Sequence, residues 1–216
     1  MPIRLATQSV GDALVASLRE RILSDGIHPG RPVTEASVAG EYEVSRQTAK
    51  AAIERLVGEG LLERTAHRSA RVPLLDEARV LDLYFARGVI ESKAYELLAD
   101  RRHLSSQALV AHQAFRDSAH GSDVPAIVQA DVEFHRALVD SLASERLSRA
   151  HDLIINEMRL CLAQVQTAQL LDAEEIADEH QGIVEAIQAG EATRAGRLGL
   201  EHLQHAECKL MEHLRR

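Results

Sequence analysis

The 216-residue sequence predicts a mainly α fold: an N-terminal winged helix-turn-helix of three helices and a small β-hairpin, then an antiparallel all-α helical bundle. Three observations predict it. Apolar residues recur at three-to-four spacing through most of the chain. Extended segments flanked by turn residues occur only between residues 61 and 73. The composition is 45% hydrophobic but only 3% aromatic, without Trp, so the core must be built from Leu, Ile, Val and Ala, which suits packed helices.

The first helix is expected over 10–24, with Leu14, Val15, Leu18 and Ile22 on one face. Asp25-Gly26 and Pro29-Gly30 stop it with turn chemistry. Thr34 can cap a short second helix whose apolar contact is Val38. Ser45 can cap a third, running to about Glu59, with Ala49, Ala52, Ile53, Leu56 and Val57 facing inward. Gly60 stands where a C-terminal cap glycine belongs. Leu61–Thr65 and Ala70–Pro73 flank residues 66–69 and read as a hairpin. From Asp76 onward strand signals stop, and six helical segments follow, at about 76–99, 104–119, 123–142, 145–168, 172–189 and 191–214. The division expected is the winged helix-turn-helix over 1–74 and the all-helical domain over 75–216.

Charge divides the chain in the same place. Residues 1–75 carry 10 Lys+Arg against 9 Asp+Glu, while residues 76–216 carry 15 against 24. That asymmetry fits a DNA-facing head on an acidic body. No run approaches the roughly 20 apolar residues of a membrane span, and Met1–Ser9 has no apolar signal core, so no membrane partner and a cytoplasmic location are expected. Cys161 and Cys208 sit in no metal or redox spacing.

Ser45-Arg46-Gln47-Thr48-Ala49-Lys50 opens the third helix. In a helix-turn-helix this turn enters the major groove of double-stranded DNA. Arg46 and Lys50 lie four apart, on one face; Arg can take guanine bidentately and Gln47 can read adenine. His67 and Arg68 fall at the expected wing tip, within reach of a minor groove or the backbone. The stretches Thr34-Glu35-Ala36-Ser37-Val38-Ala39, Val44-Ser45-Arg46 and Ile53-Glu54-Arg55-Leu56-Val57-Gly58-Glu59-Gly60-Leu61-Leu62 resemble the helix-turn-helix signature of the GntR family of bacterial regulators. Three positions depart from that pattern. Lys50 replaces an arginine, Thr48 a proline and Ser69 the wing glycine. Lysine keeps a phosphate contact but lacks the fork for bidentate guanine readout, which points away from the family's typical operator.

Three later helices place a histidine on an apolar stripe. The stripes read Val128, Val132, His135, Leu138, Val139, Leu142; then Ile176, His180, Ile183, Val184, Ile187; then Ala195, Leu198, His202, Ala206, Leu210. Asp131 lies four residues before His135, on the same face. Burying such groups without partners is costly, so they should meet one another or a divalent metal. His28, His103, His112, His120 and His213 read as turn or polar-face residues.

Asp131-Val132-Glu133-Phe134-His135-Arg136-Ala137-Leu138 and Glu179-His180-x-x-Ile183-x-x-Ala186-Ile187-x-x-Gly190-Glu191 resemble segments of the FCD-type effector domain found in the FadR branch of the GntR family. The resemblance covers about residues 10–213 and implies Asp131, His135, His180 and His202 as ligands of a divalent ion, Zn²⁺ first, Ni²⁺ or another transition metal otherwise. Arg87-Gly88-Val89-Ile90-Glu91 matches the family's R-x-x-x-E pattern. Arg87 can hold the carboxylate of an organic acid beside the metal, or it can pair with Glu91 within its helix; Arg159 is a further effector candidate.

Together these readings predict a homodimeric DNA-binding transcriptional regulator, a repressor, and not an enzyme. A small carboxylate bound at or near the metal would control operator binding. A metal-dependent hydrolase with an accessory DNA-binding-like head is the alternative. A third reading makes the helical domain a dimerisation unit with the metal as a staple.

Overall fold

The computed structural model describes residues 9–65, 68–165 and 172–215, which fold into two compact units divided after Leu74. In the first unit, Ser9 caps α1 (Val10–Leu23), its Oγ accepting the Asp12 N–H. The helix buries Leu14, Val15, Leu18 and Ile22. Thr34 and Ser37 form a capping box at the start of α2 (Glu35–Glu41). Ser45 caps α3 (Arg46–Gly58) by accepting the Thr48 N–H at 3.0 Å. Ala49, Ala52, Ile53 and Leu56 point into the core, and a bidentate Arg19–Glu59 pair ties α1 to the end of α3. Gly60, at φ +76°, turns the chain off the helix.

The wing differs from expectation. Residues 61–65 do not form one arm of a regular hairpin. Leu61 and Leu62 are both buried, and both donate their N–H to Leu56 O, so their amides close the helix end instead of joining a ladder. Only Glu63 pairs across, exchanging two backbone bonds with Arg71. The regular pairing of β2 (Ala70–Arg71) is with β1 (Pro32–Val33), antiparallel, in the register Pro32↔Arg71 and Val33↔Ala70. Segment 70–71 is therefore the middle of the small sheet, and the strand at 32–33 escaped the sequence reading because two residues carry no alternation.

The second unit comprises α4 (Glu77–Arg101), α5 (Ser106–Ala119), α6 (Val124–Asp140), α7 (Glu145–Val165), α8 (Ala173–Ala189) and α9 (Ala192–Leu214). Asp76, Ser105, Asp123 and Asp172 each cap the helix that follows. Helices α4 and α9 pack along each other, and small residues make this possible. A Cβ on Gly199 would lie 2.6 Å from Tyr95 Cδ2, and Ser92 Oγ donates to Gly196 O at 3.1 Å. One apolar cluster joins α4, α6 and α8 through Leu98, Phe134, Leu138, Ile183 and Ile187. A second joins α4, α7 and α9 through Val80, Ile155, Met158, Leu162 and Leu210. A third, smaller one sets Phe115 and Ala119 against Ile176. The polar cluster described next lies among these. Among the described residues no helix is long and apolar enough to cross a membrane.

Candidate metal centre and DNA-facing helix

Periodicity carries Asp131 and His135 on α6, His180 on α8 and His202 on α9 to one point in the second unit. One donor atom from each lies within 4.8 Å of all the others. His202 Nε2 is 3.2 Å from His135 Nε2 and 3.4 Å from His180 Nε2. Asp131 Oδ1 is 3.5 Å from His180 Nε2 and 3.7 Å from His135 Nε2. Donors sharing one ion at about 2.0–2.2 Å stand roughly 3–4 Å apart, so these four separations are compatible with a common ion.

The outer ring nitrogens explain which lone pairs face inward. His135 Nδ1 lies 2.8 Å from Glu91 Oε2 and 2.9 Å from the Tyr95 hydroxyl. His202 Nδ1 lies 2.7 Å from Glu179 Oε2. A carboxylate only accepts, so each Nδ1 carries a proton, and each ring in its neutral form turns a bare Nε2 lone pair inward. Two lone pairs 3.2 Å apart beside a carboxylate repel unless a cation sits between them. The donor set therefore fits a divalent metal ion. His180 differs: its Nδ1 is buried without a hydrogen-bond partner among the described residues, and its ring stacks on Phe134 at 4.0 Å.

Electrostatics keep Asp131, His180 and His202 in ligand form. Burial opposes the charge on Asp131, but His135 and His202 outweigh it and hold the carboxyl below its ordinary range. Burial, then the neighbouring imidazoles, pushes His180 well below the usual histidine value, so it is neutral. Burial also lowers His202. For His135 burial acts in the same direction, but Glu91 and Asp131 prevail and raise it.

Glu91 is the hub behind this centre. It is fully buried and accepts from Arg87 Nε at 2.7 Å, from Tyr95 Oη at 3.0 Å and from His151 Nε2 at 3.1 Å. Burial would raise its pKa, but the Arg87 guanidinium beside it holds it well below the carboxylate range. Arg87 thus does pair with Glu91. It also lines a cavity of about 540 Å³ that reaches Asp131 and His202. Arg159, half-buried on α7, is not among the described lining residues.

Sequence reasoning missed His151, which is buried against Glu91, and misplaced His112. The His112 ring is buried beside Phe134, with Nε2 2.9 Å from Gln181 Oε1. At the surface, Glu179 also holds His205 Nδ1 at 2.8 Å.

In the first unit Arg46, Gln47 and Lys50 are exposed on the opening turns of α3, while Ala49 and Ile53 face the core. Ser45 Oγ and Thr48 Oγ1 are 2.8 Å apart and occupy each other at the helix start. Lys50 lies 3.8 Å from Glu54. Arg68 is exposed. His67, the other expected wing residue, lies outside the described residues.

Comparison with known families decides what these two units are. The model of the bacterial regulatory proteins of the gntR family matches residues 11–72, and the FCD domain model matches residues 82–205. The chain belongs to the GntR family and carries an FCD domain. It is similar to the probable D-xylose utilization operon transcriptional repressor of Paenarthrobacter nicotinovorans, at 29% identity over 75% of this chain and 71% of that one. It also resembles the gluconate operon transcriptional repressor of Bacillus licheniformis, at 26% identity over 85% and 78% of the two chains. Among solved structures, a chain from Rhodococcus sp. RHA1 described as a GntR transcriptional regulator superposes with a TM-score of 0.77 at 22% identity, covering 94% and 97% of the two chains. E. coli McbR/YncC gives 0.72 at 15% identity, covering 95% and 99%. These structures share the mainly α fold with its N-terminal winged helix-turn-helix. This GntR protein is a DNA-binding transcriptional regulator, not an enzyme. The alternative of a metal-dependent hydrolase finds no support among its relatives and is set aside.

Proposed function

We propose that this GntR protein is a cytoplasmic homodimeric repressor whose grip on an operator is set by a small carboxylate bound beside a divalent metal, Zn²⁺ first among the candidates and Ni²⁺ or another transition metal next. The observation that carries the reading is the convergence of three imidazole Nε2 atoms and one carboxylate within 4.8 Å, against a cavity that also receives Arg87. Asp131, His135, His180 and His202 would hold the ion. When bound, the metal supplies a Lewis-acidic position for a carboxylate oxygen. A divalent ion with one carboxylate and three neutral imidazoles keeps one positive charge, which a monoanionic ligand balances. Arg87 adds a second cationic group on the same wall. Arg159 remains an effector candidate from the sequence alone.

On the DNA side, Arg46, Gln47 and Lys50 are offered to base edges and phosphates, with Ser45 and Thr48 presenting the helix N-terminus to the backbone. Arg68 and His67 are assigned to the wing contact. Two such heads on one duplex require a dimer. Helix α4 supports one, because Leu81, Phe85 and Val89 stand exposed at four-residue intervals beside Leu200 of α9.

Elemental analysis of the purified chain and of its His180→Ala and His202→Ala variants tests the metal assignment. One metal equivalent in the parent and none in either variant is expected. Stoichiometric metal retained in both variants would rule the ligand set out.

A further inference from the structure

We propose that the acid bound beside the metal centre carries an apolar tail, and that the cavity walled by α5, α6, α7 and α8 is built for that tail and not for a polyhydroxylated chain. The inference rests on the preceding reading that a carboxylate binds there. It goes further by assigning the rest of the ligand.

The cavity is chemically one-sided. At its buried end stand Arg87, Asp131 and His202. Besides them the lining takes Phe115 and Ile176 from the smallest apolar cluster, with Ile127 packed against it. The lining also takes Met158 and Leu162 from the cluster between α4, α7 and α9, with Val128 packed against it. The cavity is therefore lined by side chains of two apolar clusters. The remaining polar side chains on the described lining are Ser122 and Asp172, both at exposed positions. Asp172 Oδ1 is already taken by the Glu174 and Glu175 amides, and Asp123 occupies the N-terminus of α6 in the same way. The backbone groups of Phe115, Ile127, Val128, Met158 and Ile176 lie inside helices and are spent there.

A ligand with its carboxylate at the polar end must run its remaining atoms past these side chains. Hydroxyls placed against Phe115, Ile127, Ile176, Val128, Met158 and Leu162 meet no polar side chain among these described residues, and each one left unpaired weakens binding by about tenfold. Methylenes placed there leave water for apolar contact, and each one strengthens binding by about fourfold. Size agrees, since a cavity of about 540 Å³ falls in the range of pockets that enclose small organic molecules.

The test is a calorimetric titration of the zinc-loaded full chain with acetate, butanoate, hexanoate, octanoate and gluconate. Affinity is expected to climb by about fourfold per methylene from acetate to hexanoate, with gluconate at least tenfold weaker than hexanoate. Ile176→Asn should flatten the climb along the series, and the nearly isosteric Val128→Thr should flatten it too, which guards against a folding defect in the first variant. Acetate binding without any gain along the series overturns the tail and leaves the carboxylate reading standing. Gluconate as the tightest ligand does the same. If no acid binds the zinc-loaded chain, both readings fall.

Discussion

Glu91 Oε2 on α4 lies 2.8 Å from His135 Nδ1 on α6, so a buried carboxylate on one helix decides which ring nitrogen of another helix turns toward the metal centre. Glu179 performs the same task for His202 from α8. The two carboxylates reach the centre through different surroundings, Glu91 from inside the core and Glu179 from the half-exposed edge, and they respond differently to substitution.

Glu179→Gln keeps a hydrogen-bonding side chain but loses the charge that fixes the His202 tautomer. Metal affinity should fall by about 10–100-fold with the fold retained. Competition titration against a chromophoric chelator measures it. Unchanged affinity would mean that Glu179 merely neighbours the ligand.

Arg87→Ala leaves Glu91 buried without its strongest partner. The cost should be about 3–5 kcal/mol, read by urea denaturation of the metal-free protein. Replacing both residues by apolar ones of similar volume should restore most of that stability while metal affinity stays impaired. A single variant as stable as the parent contradicts the buried pair described here.

Gly199→Ala places a Cβ 2.6 Å from a Tyr95 ring carbon, and that ring is buried and tied to Glu91 and His135. Overpacking of about 1–3 kcal/mol is expected, with a lower melting temperature. A melting temperature equal to the parent's would show that α4 and α9 separate easily.

Arg46→Ala should abolish specific binding to a duplex enriched from a random library, with Lys50→Ala lowering affinity for all sequences and flattening the salt dependence. Fluorescence anisotropy at several salt concentrations separates the two. Intact operator affinity in the Arg46 variant would remove it from the interface.

Much of this was legible in the sequence, for a physical reason. Helical periodicity reports which face a residue occupies, so His135, His180 and His202 stood out as polar residues on apolar stripes. It does not report how deep a polar face is buried. Arg87 and Glu91, four apart, look the same as a solvated surface pair, and only packing against α6 and α7 reveals Glu91 as the shared acceptor for Tyr95, His151 and His135. His151 and His112 were lost for the same reason. The two-residue strand at Pro32–Val33 gave no alternation to read, and Leu61-Leu62 looked extended while serving to close α3.

The most direct test of the whole account is operator binding measured by anisotropy on zinc-loaded and chelator-stripped protein, each titrated with the tightest-binding acid of the acetate-to-octanoate series. The acid is expected to shift operator affinity by about 5–150-fold in the zinc-loaded protein and to leave the stripped protein unmoved. Equal operator affinity with and without the acid, in protein shown to hold both metal and acid, would contradict it.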